Sequence, residues 1–177
     1  MREEKEIKFV IKVEPKIIDK LIKQAGFFLL TVIDVSDTYY DYPDFRMLKN
    51  KEAFRVREVD GTKQYSYKKK GTKVYEDKLD EKLFNETVKD MKPLITLNKK
   101  RSVYKLGDNE IVIDRIKELG NFLEVECEKN NPQDVFNTLK IPVAVVERTT
   151  QGITDFYFKN RKQARTKNKA RRKENRK

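Results

Sequence analysis

The chain has 177 residues and a formal net charge of +12, with 41 Lys and Arg residues against 29 Asp and Glu residues. Hydrophobic residues make up 37% of it, which is enough to build one domain with a proper core. Because there is no His and one Cys, a zinc site, a Ser-His-Asp triad and a Cys-His pair are excluded.

The positive charge is concentrated at the C-terminal end. Residues 161–177 contain ten Lys or Arg and one acid, Glu174. We therefore predict a folded domain over residues 1–160 and a basic, disordered tail over 161–177. Such a tail predicts weak, sequence-independent binding to nucleic acid.

The expected location is the cytoplasm, because the sequence has a lone thiol and no signal-peptide pattern. The most apolar run, over residues 27–35, is too short to span a bilayer and contains Asp34. We expect no membrane partner, and both a monomer and a homodimer remain open.

Alternation of apolar and polar residues is the strongest local signal, and it begins at the N-terminus. Ile7, Phe9, Ile11 and Val13 occupy one face of a predicted strand, and charged residues occupy the other. In chain order we predict helices after Pro15, over 80–91 and from Asn131, with strands over 4–13, 27–40, 53–57, 64–71, 97–105, 110–116 and 122–128.

The polar faces of these strands carry charges of one sign in groups. Acids gather on the first and late strands, and cations gather on the strands between. The acids are Glu4, Glu6, Asp114, Glu124 and Glu126, and the cations are Lys8, Arg55, Arg57, Lys68, Lys70, Lys99 and Arg101. A solvated sheet face is one explanation. The repetition favours an α+β fold in which a closed antiparallel β-barrel has a charged lumen and helices packed outside.

A charged lumen is costly unless its charges are paired or bound to a ligand. The ligand that fits is a polyphosphate with a divalent cation, because Lys and Arg bind phosphate oxygens and carboxylates bind Mg²⁺ or Mn²⁺. Without His or a reactive Cys, the available chemistry is metal-assisted displacement at phosphorus.

The segment Glu4-x-Glu6-x-Lys8 resembles the ExExK signature of the CYTH superfamily, the triphosphate tunnel metalloenzymes. The resemblance continues in order through residues 37–41, 54–57, 67–68, 99–101, Asp114 and 119–126. It implies an eight-stranded tunnel, with metal bound by Glu4, Glu6, Asp114, Glu124 and Glu126, phosphates bound by the seven cations, and catalytic roles for Lys8, Glu6 and Glu126. Residues 73–78 depart from the family pattern, which leaves open whether Glu76 or Asp77 faces inward.

Three functions remain for such a protein. The first is metal-dependent hydrolysis of inorganic tripolyphosphate, thiamine triphosphate or a nucleoside triphosphate. The second is a class IV-type adenylyl cyclase, in which the ribose 3′-hydroxyl of ATP attacks the α-phosphate and pyrophosphate leaves. The third is a non-catalytic module that binds polyphosphate or RNA.

Overall fold

The computed structural model describes residues 2–70 and 74–159, with side chains for 5–69 and 76–159, and it has an α+β architecture. The predicted tail and Lys73 lie outside the described residues. The strands are β1 Arg2–Glu4, β2 Glu6–Ile11, β3 Phe28–Asp41, β4 Glu52–Val59, β5 Thr62–Lys70, β6 Val74–Leu79, β7 Lys92–Leu106, β8 Asn109–Ile116, β9 Gly120–Cys127 and β10 Val146–Thr149. The helices are α1 Pro15–Gln24, α2 Arg46–Lys49, α3 Glu81–Val88, α4 Pro132–Thr138 and α5 over 153–159, and a 3₁₀ turn spans Val143–Val145.

The strands pair antiparallel in the order β1-β6-β5-β4-β3-β7-β8-β9-β2-β10. The antiparallel sheet is confirmed, but within the described residues no hydrogen-bonded ladder closes it by joining β1 to β10. The break between β1 and β2 is Lys5 alone. The N-terminal segment therefore lies beside β6 through Arg2–Glu4 and beside β9 through Glu6–Ile11.

Two helices cover the apolar face of β2, β8 and β9. α1 begins at Pro15, which suits a first helical turn, and it buries Ile18 and Ile22 completely. Phe136 of α4 stacks on Phe9 of β2 with ring centroids 4.1 Å apart. Full burial of such a side chain stabilises a fold by about 1.5–3 kcal/mol, so these helices hold the sheet from outside.

The third long helix, α3, covers β4 and β5. Asp80 caps it by accepting a hydrogen bond from the Leu83 backbone at 2.8 Å. Its Phe84 packs against Phe54 and Tyr65 with ring centroids 6.1 and 5.1 Å away. The helix ends at Val88, three residues before the predicted end at 91. A turn over residues 89–90, in which the Met91 N–H donates to the Val88 carbonyl at 2.8 Å, leads into β7, which begins at Lys92 and includes Pro93.

The charged face of the sheet becomes apolar at one end. Leu97 and Phe122 lie two residues before Lys99 and Glu124 on their strands, so they share the same face. They belong to a buried cluster against which Phe156 of α5 packs. The sequence analysis left residues 150–159 without a pattern, and this helix was therefore missed.

Among the described residues, none of the helices has both the length and the apolar character that crossing a bilayer requires.

Candidate active site

One face of the sheet lines a cavity of about 330 Å³. The alternation of the strands explains its composition, because every second residue of a strand faces the same side. The charged residues that line it are Glu6, Lys8, Lys51, Glu52, Arg55, Arg57, Lys68, Glu76, Lys78, Lys99, Arg101, Glu110, Glu124, Glu126 and Asp155.

Three glutamates form an acid cluster in this cavity. Glu6 on β2 lies directly opposite Glu126 on β9. Glu124 lies two residues before Glu126 and therefore shares its face of β9. Carboxylate oxygens of all three lie within 4.8 Å of one another. Oxygen ligands at this spacing suit a hard divalent cation, and the cluster is therefore a candidate metal site.

The two glutamates of β9 have opposite pKa shifts. Burial, followed by the charges of Glu124 and Glu6, raises the pKa of Glu126 to about 7. Burial also favours neutral Glu124, but Lys8 and then Arg101 outweigh it and hold the pKa of Glu124 well below its usual range. Of these two glutamates, Glu126 is therefore the one whose negative charge is less compensated by nearby cations.

Lys8 binds the acid cluster through Glu124, with 2.7 Å between Nζ and Oε1. Burial acts to lower the pKa of Lys8, but the charges of Glu124 and Glu6 exceed that effect and raise it. Lys8 is therefore a fixed cation at the edge of the candidate metal site.

A second group of acids, Asp37 and Asp114, binds cations on β4 and β7. Asp37 accepts two hydrogen bonds from Arg57 at 2.7 and 2.9 Å, and Asp114 accepts two from Arg101 at 2.7 and 2.6 Å. Lys99 joins both acids at 3.0 and 2.9 Å. Although burial alone would raise it, Arg57 and Lys99 hold the pKa of Asp37 well below its usual range.

A third group of contacts lies on β4, β5 and β6. Arg55 Nη2 donates to Glu76 Oε1 at 2.7 Å, and Lys68 Nζ lies 3.5 Å from Glu76 Oε2. Glu76 lines the cavity, and Asp77 does not appear among its lining residues. The structure therefore places Glu76 inward, which the sequence left open.

The structure brings nine of the predicted site residues to one cavity: Glu6, Lys8, Arg55, Arg57, Lys68, Lys99, Arg101, Glu124 and Glu126. The side chains of Glu4 and Lys70 lie outside the described part of the chain. Asp114 is 1% exposed and is not a member of the three-glutamate cluster. Both of its oxygens accept hydrogen bonds from cations, and one of these donors, Arg101 Nη2, also donates to Glu124 at 3.1 Å. The role of Asp114 in metal binding stays a prediction.

Several cavity residues were missed by the sequence analysis. Glu110 of β8 lies directly opposite Glu126, but it stands next to a turn, and the apolar run Ile111–Ile113 follows it. Asp37 does not line the cavity but holds Arg57 and Lys99, which do, and it was part of a recognised motif without being assigned a role. Gly152 and Ile153, at the start of α5, reach the cavity from a segment for which no helix or strand was predicted.

The fold and the acid cluster together define an antiparallel α+β protein with a charged cavity that contains a candidate metal site. The CYTH domain family matches residues 2–157 of this chain. The chain belongs to the CYTH domain family.

Individual relatives agree with this assignment. MJ0240 of Methanocaldococcus jannaschii, whose name proposes an adenylate cyclase, is 31% identical over 133 residues, covering 70% of this chain and 75% of that protein. A Vibrio parahaemolyticus structure, proposed to be an adenylate cyclase, matches with a TM-score of 0.70 at 16% identity and covers 88% of this chain and 97% of its own. HpAC1 from Hippeastrum, described as having a dominant triphosphatase activity, matches with a TM-score of 0.67 at 17% identity, covering 90% and 96%. At these identities the two structures show a shared fold.

Proposed function

We propose that this protein hydrolyses a triphosphate, with a divalent cation, inside the charged cavity. The observation that carries the proposal is the meeting of the three-glutamate cluster with seven cations of the sheet in one cavity. A metal cation would neutralise the charge of the glutamates, and a phosphate chain would neutralise the charge of the Lys and Arg side chains. In this proposal the N-terminal segment, which adjoins both β6 and β9, completes an eight-stranded tunnel.

The acid cluster fits Mg²⁺ or Mn²⁺, because Glu6, Glu124 and Glu126 offer three carboxylates within reach of one ion. When bound there, the ion would withdraw negative charge from the phosphate chain. Lys8 adds a fixed positive charge beside it and, in this proposal, contacts the phosphate that is attacked.

The remaining cations would bind the phosphate chain along its length. Arg57, Lys99 and Arg101 are held by buried acids, so their positions are set before a ligand arrives. Preorganised cations favour a phosphate chain because few side chains must be ordered on binding. Arg55 and Lys68 would contribute from the β4–β5 wall.

Adenylyl cyclisation is the second candidate, and the observation that favours it is the name of the 31% identical relative. The same cavity would hold the phosphates of ATP in either reaction. The two reactions differ in the attacking group, which is water for hydrolysis and the ribose 3′-hydroxyl for cyclisation.

A phosphorus NMR time course tests both candidates. Tripolyphosphate, thiamine triphosphate and ATP are offered separately with Mg²⁺ or Mn²⁺, and a Glu126→Gln variant prepared in parallel controls for contaminating phosphatases. We expect orthophosphate and a diphosphate product from the parent protein and none from the variant. Pyrophosphate and a cyclic nucleotide from ATP would instead establish the cyclase. No product in any tube would contradict both and favour a binding module.

A further inference from the structure

Two buried polar atoms of the cavity wall have no hydrogen-bond partner among the described residues: Arg55 Nε and Ser66 Oγ. The two residues are 8% and 4% exposed, and both line the charged cavity. Buried polar groups are paired in the great majority of cases, since an unpaired one destabilises the fold. Two such atoms in one cavity therefore need an explanation.

The two atoms belong to neighbouring residues. Arg55 on β4 lies directly opposite Ser66 on β5, and Lys78 on β6 lies opposite Ser66 on its other side. Lys78 also lines the cavity. Glu76 holds the Nη2 end of the Arg55 guanidinium at 2.7 Å, so the orientation of the planar group is fixed while Nε stays unpaired.

Both atoms can donate a hydrogen bond, and although Glu76 binds the Nη2 end of Arg55, Lys78 adds a second positive charge to this part of the cavity wall. A guanidinium Nε–H has donor capacity alone, and a serine hydroxyl rotates to donate where an acceptor is present. An anionic oxygen is a group that satisfies both donors, which belong to directly paired residues beside Lys78. A phosphoryl oxygen accepts several charge-assisted hydrogen bonds at once.

We propose that Ser66 Oγ and Arg55 Nε together bind one phosphoryl oxygen of the substrate, which makes Ser66 a substrate-binding residue. The subsite is on β4 and β5, whereas the glutamates of the candidate metal site are on β2 and β9, and all of them line the same cavity. The identity of the ligand as a phosphate chain rests on the proposed function.

The test is calorimetric titration of metal-free protein with inorganic tripolyphosphate. Ser66→Ala is expected to raise the dissociation constant about tenfold, the effect of losing one hydrogen bond to a charged oxygen. Ser36→Ala is the matched control. Ser36 lies on β3 and is not among the residues that line the cavity, so the dissociation constant should not change.

Thermal unfolding without ligand separates a binding role from a structural one. If Ser66 exists for the ligand, its unpaired hydroxyl is a cost in the free protein, and Ser66→Ala should raise the unfolding midpoint by about 2–4 °C. A lower midpoint with an unchanged dissociation constant would show that Ser66 is structural and would overturn the subsite. An unchanged constant at any midpoint overturns the subsite alone, whereas a parent protein that binds no tripolyphosphate either without metal or with Mg²⁺ or Mn²⁺ overturns the proposed function as well.

Discussion

Two groups of carboxylates share one face of this sheet and differ in their burial and in their partners. Asp37 and Asp114 each bind two cations at 3.0 Å or less. Glu6 and Glu126 lie opposite each other, and among the described residues neither forms an ion pair within 4.0 Å. The first group is neutralised by the fold itself, and the second group is not.

The difference separates structural acids from candidate ligand-binding acids. A buried acid with two cations is stable in place, and removing it leaves those cations without a counter-charge. Burial and then repulsion by the charges of Glu124 and Glu6 raise the pKa of Glu126 to about 7. A bound cation would remove that repulsion, so a metal ion should bind more favourably at the glutamates than at Asp37 or Asp114.

The largest expected effect is on turnover, from Glu126→Gln. Loss of one metal ligand should reduce triphosphate hydrolysis by at least about 10³-fold, since metal stabilisation of developing charge is worth several kcal/mol. The metal-free variant should unfold at the same temperature as the parent or higher, because a repulsive charge is gone. Orthophosphate release and thermal unfolding are the measurements.

Glu128→Gln is the matched control for this change, because Glu128 follows on the same chain segment and does not line the cavity. It should leave turnover intact. Full activity of Glu126→Gln would remove the acid cluster from the mechanism.

Substitution in the group of Asp37 and Asp114 should lower the free energy of unfolding. Asp37→Asn leaves Arg57 and Lys99 with less counter-charge in a buried place, and we expect a loss of about 3–5 kcal/mol in the free energy of unfolding. Urea denaturation measures it. Asp34→Asn, on the same strand but exposed, is the control. If Asp37→Asn were as stable as Glu126→Gln, the distinction between the two groups would be wrong.

Lowering the pH should reduce the contribution of Asp37 to the stability of the fold. The pKa of Asp37 is lower in the folded protein than the value of about 3.9 expected for an unfolded chain, so its contribution to stability is present above that value. It is lost as the pH falls below about 5 towards the folded-state pKa. Urea midpoints at about pH 7, 5 and 3 should therefore fall more steeply for the parent protein than for Asp37→Asn. Parallel curves would contradict this.

The sequence predicted the parts of the site that depend on alternation. Because side chains alternate along a strand, Arg55 with Arg57 and Glu124 with Glu126 had to share a face once their strands were recognised. The antiparallel sheet, and helices α1, α3 and α4, were confirmed for the same reason, since each has a periodic apolar stripe and a terminal signal.

The parts that failed depend on pairing between distant segments. Nothing local shows that Glu110 lies opposite Glu126, or that Arg2–Glu4 pairs with β6 while the rest of the N-terminal segment pairs with β9. Helix α5 is short, and its apolar stripe of Ile153, Phe156 and Tyr157 was not recognised; its position is explained by packing on the Phe122 cluster, with the rings of Phe156 and Phe122 centred 5.4 Å apart. Strand register and long-range packing fix these features, and both lie outside any single stretch of sequence.

The smallest expected effect comes from a lysine that alternation alone places in the site. Lys12 shares the periodic face of Lys8, but β2 ends at Ile11, and the Lys12 side chain is 49% exposed and bound to Glu147 at 2.8 Å. The Lys8 side chain is 14% exposed and bound to Glu124 at 2.7 Å. Two ion pairs of nearly equal length therefore differ in solvent screening, and an exposed pair contributes little. Lys12→Met should leave turnover and the unfolding midpoint within error of the parent, whereas Lys8→Met should sharply reduce turnover of tripolyphosphate. Equal losses in the two variants would show that charge on this face acts at long range and that the cavity does not distinguish them.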